Sequence, residues 1–300
     1  MSFNFAAIKS IEFGVCLDSE GGEIYRQIPV DAEVQEALKE ILNTTREALG
    51  LKDGELEAFE PAQKYSATER LVAKLDSPFM KKIKAIYLAE NLQVNAQSMK
   101  ETDSLVFYFA IFQDSKDEKL LAVRRAMQFK GVLKARNRLI SLIDDTLQLV
   151  GDDVFKLDND FDYLVFDGQV CIYRPSGFEY TAGIENEIAA KALEMTGEVA
   201  KSISCVDFTQ LTTYVSKHRR AARLIASLRA RDDLHLTSPK KLKKGCKQNK
   251  IEFTTENGKI VPTDGHEMAF LELLDRRRYN LSLIEKQEEL YVAGSRHQAK

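Results

Sequence analysis

The sequence predicts an α+β fold, with mostly antiparallel sheet in the middle of the chain and a helical, basic C-terminal third. Three observations lead there. From residue 104, apolar runs of strand length alternate with turn signals: SLVFYFAIFQ, KLLAVRRAMQF, and DYLVF joined to QVCIY through Asp167-Gly168. Beyond residue 176 the apolar residues recur at helical spacing instead. Finally, residues 217–250 carry twelve Lys or Arg against two acids, so the rest of the chain is acidic.

Taken in order, residues 9–28 predict a hairpin, IEFGVCL and EIYRQIPV around Asp18–Gly22. Pro29 and Asp31 then open a helix that Gly50 stops, with Val34, Ala37, Leu38, Ile41 and Leu42 on one face. Residues 51–103 are mixed and polar, and they suggest a boundary: an N-terminal α/β region over 1–103 and an α+β region over 104–300. In the latter, ISLIDD, LQLVGDD, FKLDNDFDYLVF and QVCIYRP read as strands, the last two joined by a two-residue turn at Asp-Gly. GFEYTAGIENEIAAKALEMTGEVA reads as one helix, and residues 207–231 as one long helix with His218 at the centre of its apolar face. Ser238-Pro239 opens a short basic helix, Asn257-Gly258 turns a hairpin, and HEMAFLELLDRRRYN closes the chain as a helix.

Composition narrows the functional classes. No apolar stretch is long enough to span a membrane, so direct insertion is not expected, and no signal peptide is apparent. Four cysteines without a CxxC pair suit reduced thiols in a cytoplasm. The four histidines lack metal-ligand spacing, and neither a GxGxxG nor a P-loop motif occurs. Asp158-x-Asp160-x-Asp162 imitates the start of a calcium loop, but Tyr163 and Gln169 stand where such a loop needs glycine and glutamate. Asp117-Glu118-Lys119 has the residue types of a Mg²⁺ nuclease, in a stretch that reads as a hairpin turn. No catalytic residue, metal site or cofactor is therefore assigned.

Positive charge remains, in two blocks. Residues 122–143 hold six bases and no acid, and from them Arg124, Arg125 and Lys130 are candidates for binding DNA phosphates. Arg124 and Arg125 are neighbours on a strand, so at most one can join a shared surface. From the second block the candidates are Arg219, Arg220 and Arg223, on the polar face of the long helix, and Lys240, Lys241, Lys243 and Lys244 at the start of the next one. Phe129 is the blocks' only aromatic residue, which favours a duplex over a stacked single strand. On charge alone, a docking face or a solvated face stays open.

The succession LVFYFAIFQ, KLLAVRRAMQFKGVLKARNRL, DDVFKLDNDFDYLVFDGQVCIYRPSGFEYTAGI and LLDRRRYNLSLIEKQEELYVAGSR resembles the KwaB family of the bacterial Kiwa anti-phage system, over roughly residues 104–295. The resemblance implies a cytoplasmic defence component that binds DNA and acts with a membrane-embedded partner, KwaA. Its individual DNA contacts do not carry over. The reading is a sequence-nonspecific duplex binder without enzymatic activity, expected as a homo-oligomer. A Mg²⁺-dependent nuclease and a docking adaptor are the alternatives.

Overall fold

The computed structural model describes residues 2–51, 56–66, 69–88, 105–126, 140–143, 146–149, 156–284 and 287–294. It divides into two compact units, Met1–Phe59 with Ser66–Gly183, and Glu60–Tyr65 with Ile184–Lys300. The division expected near residue 103 is thus displaced to Gly183. The reason is strand pairing, since the first strand of the chain runs antiparallel to the strand that begins at Leu105.

The first unit is built on one eight-stranded sheet. Its strands are β1 (Ile8–Ser19), β2 (Gly22–Ile28), β3 (Glu57–Ala58), β4 (Leu71–Lys74), β5 (Leu105–Asp114), β6 (Lys119–Arg125), β9 (Tyr163–Phe166) and β10 (Gln169–Ile172). They lie in the order β2-β1-β5-β6-β9-β10-β4-β3, antiparallel except for the last pair. A separate hairpin, β7 (Ile140–Ile143) with β8 (Thr146–Leu149), stands between β6 and β9 in the chain. The α+β expectation with a predominantly antiparallel sheet holds.

Alternation along each strand decides what each face buries. Phe13, Val15 and Leu17 of β1, Tyr108, Ala110 and Phe112 of β5, and Leu120 and Ala122 of β6 form one face. They pack under α1 (Ala32–Leu49) against Leu38, Ile41, Leu42 and Leu49. Asp31 caps that helix, its carboxylate accepting the Val34 N–H at 2.8 Å. Tyr163 of β9, on the opposite face, meets Phe178 of α3 (Pro175–Ala182) edge to face, and Phe178 meets Phe59 in the same way. Helix α2 (Lys81–Tyr87) adds Ile83 and Ile86 to the core. Both faces of β5 and β6 are covered, so these strands read as continuous apolar runs.

The second unit is mostly helical: α4 (Glu185–Ser202), α5 (Thr209–Lys217), α6 (Arg219–Arg229), α7 (Pro239–Gln248) and α8 (Glu267–Leu274). Two hairpins complete it, β11 (Phe253–Glu256) with β12 (Lys259–Pro262), and β13 (Arg278–Ile284) with β14 (Gln287–Val292). Three predicted helices are corrected here. The one over 177–200 breaks at Gly183, whose φ of 67° is left-handed and ends α3. The one over 207–231 breaks at His218, in extended backbone (φ −127°, ψ 104°). In a continuous helix the imidazole would share the buried stripe of Val215 and Ala222. The break instead leaves His218 exposed, its ring 4.2 Å from that of Tyr214. The third ends at Leu274, and Arg278 starts a strand.

Candidate functional site

Helix α7 is short, and its sequence explains its boundaries. Ser238 accepts the Lys241 N–H as N-cap, and Pro239 takes the first helical position, where no backbone donor is needed. Leu242 and Cys246 are buried, and Gly245 lies close against Leu273 of α8. At 100° per residue, Lys240, Lys244 and Lys247 fall within about 60° of one another, roughly opposite Leu242. Lys240, Lys241, Lys244 and Lys247 are exposed, Lys243 is half-buried, and Lys250, just past the helix, is exposed. None of the six makes an ion pair or a side-chain hydrogen bond among the described residues. Lys247 and Lys250 were not among the sequence candidates, although Lys247 follows Lys240 at the i+7 spacing that returns to the same face.

The arginines of the same basic run are used differently. Arg219 pairs with Glu185 of α4. Arg220, mostly exposed, reaches the buried Glu272 of α8 at 2.6 Å, and Arg278 of β13 holds the other oxygen of that carboxylate at 3.0 Å. Arg229 pairs with Glu198 at 2.5 Å. The side chain of Arg231 is buried, donating to Asp233 at 2.8 Å and to the Leu274 carbonyl at 2.6 Å. Arg223 is half-buried. Asp275-Arg276-Arg277-Arg278 completes the network. Ser227 donates to the buried Asp275 at 2.9 Å, Arg277 pairs with Asp275, and Arg276 pairs with Asp233 at 2.5 Å. These pairs join α4, α6, α8 and β13 to one another. Sequence periodicity found the polar face of α6 but not the acids that meet it.

The first block is also divided. Arg124 lies on the α1 face of β6, in register with Tyr108 of β5, and only 8% of it is exposed. Its guanidinium meets Asp158 at 3.3 Å, Asp160 at 2.8 Å and Asp162 at 2.8 Å. Its candidacy for phosphate binding is corrected: the strand phase buries it and three carboxylates neutralise it. The three aspartates that imitated a calcium loop converge on this guanidinium. Arg174 also bonds Asp160 at 2.5 Å, and Lys156 bonds Asp158 at 2.9 Å. Burial pushes the Asp162 carboxyl up to about 6 despite Arg124 and the Arg125 N–H at 2.7 Å. Arg125 points to the other face and is exposed, its guanidinium 3.8 Å from the centre of the Tyr180 ring. Lys130 lies outside the described residues.

Asp117 and Glu118 do sit in the β5–β6 turn. Asp117 has a φ of 63° and pairs with Lys9 at 3.1 Å. The buried Asp114 organises the turn, its carboxylate accepting the N–H groups of Asn4, Lys116 and Glu118 at 2.8, 2.8 and 3.0 Å. Burial opposes the charge of Asp114, but these donors win and hold its carboxyl below the ordinary range. Among the described residues, no group of three His, Cys, Asp or Glu is arranged to hold a metal ion. The four cysteines are free, and burial raises Cys16 and Cys171 to about 12 and Cys246 to about 11, away from thiolate chemistry.

Fold and surface thus define an α+β protein with a wide antiparallel-dominated sheet and a helical unit with a stripe of exposed lysines on α7. Residues 100–283, from just before β5 into β13, match the family described as Kiwa protein KwaB-like. The chain belongs to that family and is a KwaB-like component of the Kiwa antiviral defence system. No curated protein and no solved structure matches the chain. Among the described residues, no helix is long and apolar enough to cross a membrane.

Proposed function

We propose that the protein acts in anti-phage defence by gripping duplex DNA through its phosphates, with the lysines of α7 as the main contacts. The observation that carries this reading is the contrast within one basic run. The arginines of α6 are largely committed to acids of the fold, whereas Lys240, Lys241, Lys243, Lys244, Lys247 and Lys250 have no side-chain partner among the described residues. Side chains left unpaired on an ordered helix are available to a polyanion, and each phosphate neutralised releases counterions. Arg125 is a secondary candidate from the first unit.

Lysine contacts of this kind position a protein on DNA without reading bases, so little sequence preference is expected. The proposed role is non-catalytic. Family membership supports a membrane-embedded KwaA-like partner for a protein that is itself cytoplasmic, and self-association into a homo-oligomer belongs to the same proposal. The test is fluorescence anisotropy of a labelled duplex titrated with the full chain at several salt concentrations. About four phosphate contacts give log K against log salt a slope of roughly −4. A flat salt response, or no binding at low salt, overturns the reading.

A further inference from the structure

Leu236 is 72% exposed, while the next most exposed large apolar side chains described, Leu88 and Tyr279, reach 48%. It does not sit on a loose loop. It ends a tight turn, Leu234–Leu236, whose first residue is buried in the core. The Leu236 N–H donates to the Asp233 carbonyl at 3.1 Å. The Thr237 N–H and hydroxyl both donate to the Leu234 carbonyl, at 3.1 and 2.7 Å, and the His235 Nδ1 lies 3.0 Å from the Asp232 carbonyl. Ser238 follows at once as the cap of α7, so the leucine stands four residues before Lys240 on an ordered base. Of the acids preceding the turn, Asp233 is held by Arg231 and Arg276, and Asp232 is exposed.

From this succession, an ordered exposed leucine followed by lysines without a side-chain partner among the described residues, we infer that Leu236 is a wedge. It enters a base step of the duplex gripped by α7 and bends it, an inference that rests on the duplex-binding reading above. An apolar side chain placed between base pairs partly unstacks them, and neutralised phosphates beside it let the duplex close around the protein. The same combination of charge and leucine is less suited to a membrane surface. Stable anchoring there takes an acyl chain or the whole apolar face of a helix. One or two inserted side chains suffice to kink DNA.

The test is energy transfer between the ends of a duplex of about 30 bp, a length for which a bend is measurable, using the full-length chain and its Leu236→Ala and Leu236→Phe variants. Leu236 contributes little to the core, so circular dichroism should match the wild type for both. The expected result is a bent duplex with wild type and Leu236→Phe, and a straighter one with Leu236→Ala. The alanine variant should lose roughly 3- to 10-fold in affinity, about what partly burying one leucine supplies, with the salt slope unchanged because no charge is altered. If Leu236→Ala bends DNA as the wild type does, the wedge is overturned. A wild type that binds the duplex and leaves it straight also overturns the wedge, while the lysine reading stands. A wild type that binds no duplex overturns both. A parallel arm uses vesicles of phosphatidylcholine and phosphatidylglycerol. Leucine-dependent vesicle binding together with a leucine-independent bend assigns the residue to a lipid surface and rejects the proposal.

Discussion

Arg124 shows how one residue's role is set by strand phase. It shares the α1 face with Leu120 and Ala122, so it must be neutralised where it is buried, and Asp158, Asp160 and Asp162 do so. Removing one side of a buried charge network leaves the other uncompensated, so Arg124→Met should cost about 3–5 kcal/mol in urea unfolding. A variant as stable as the wild type would show that the network contributes nothing net. Gly177 is tied to the same cluster, because a Cβ there would overlap the Asp162 carboxyl group. Gly177→Ala is therefore expected to destabilise by about 1–3 kcal/mol through overpacking, read as a lower urea midpoint. Asp162 also makes a pH prediction. Its folded carboxyl, at about 6, lies above its unfolded value, so the folded state binds more protons between the two. Its contribution to stability is then fully present below about pH 4 and is lost as pH rises through about 6. Carbon-13 NMR of the Asp162 carboxyl checks this directly, and an ordinary titration near 4 would contradict it.

Helices α6 and α7 carry similar charge in sequence and differ in what the charge does. Reversing Lys240, Lys244 and Lys247 to Glu touches no described internal partner, so helicity and unfolding midpoint should hardly change. Duplex affinity should fall steeply, and the salt slope should lose roughly 3 units. Reversing Arg219, Arg220 and Arg223 should behave otherwise. Arg220→Glu places an acid beside the buried Glu272, so this triple variant should lose stability. Its salt slope should change less than that of the lysine variant. Anisotropy titrations paired with urea melts separate the two. Equal slopes for both triples would return the arginines to the binding surface.

At the scale of the molecule, the two units have different characters: a sheet whose central strands are covered on both faces, and a helical body laced by ion pairs between α4, α6, α8 and β13. The proposed function needs only the helical unit's lysines, and it assigns no chemistry to the carboxylates of the sheet unit. Supercoiled plasmid incubated with the protein and Mg²⁺ should accordingly remain intact, with and without EDTA. EDTA-sensitive nicking would establish the nuclease alternative. Asp117→Gly should also preserve phage protection, because the residue's φ of 63° is one glycine adopts freely and its exposed carboxylate pairs with Lys9 at the surface.

Local signals were enough to determine much of this protein. The hairpin of β1 and β2, helix α1 between Asp31 and Gly50, the Asp167-Gly168 and Asn257-Gly258 turns (φ 52° and 72°, 49° and 80°), and α7 behind Ser238-Pro239 all follow from short-range rules. The resemblance in residues 104–295 was legible too, because it rests on the strand and turn pattern itself. What lay beyond the sequence was pairing at a distance. Nothing near Arg124 in the chain shows that Asp158, Asp160 and Asp162, more than 30 residues on, meet its guanidinium. Nothing near Arg219 and Arg220 shows Glu185 and Glu272 waiting for them. Periodicity tells which face a side chain occupies, but a charge is free or spent according to what the fold brings against that face. Only the tertiary structure, by pairing Arg219, Arg220 and Arg229 with acids and leaving the α7 lysines without a side-chain partner among the described residues, decided which part of the basic run the proposed function can use.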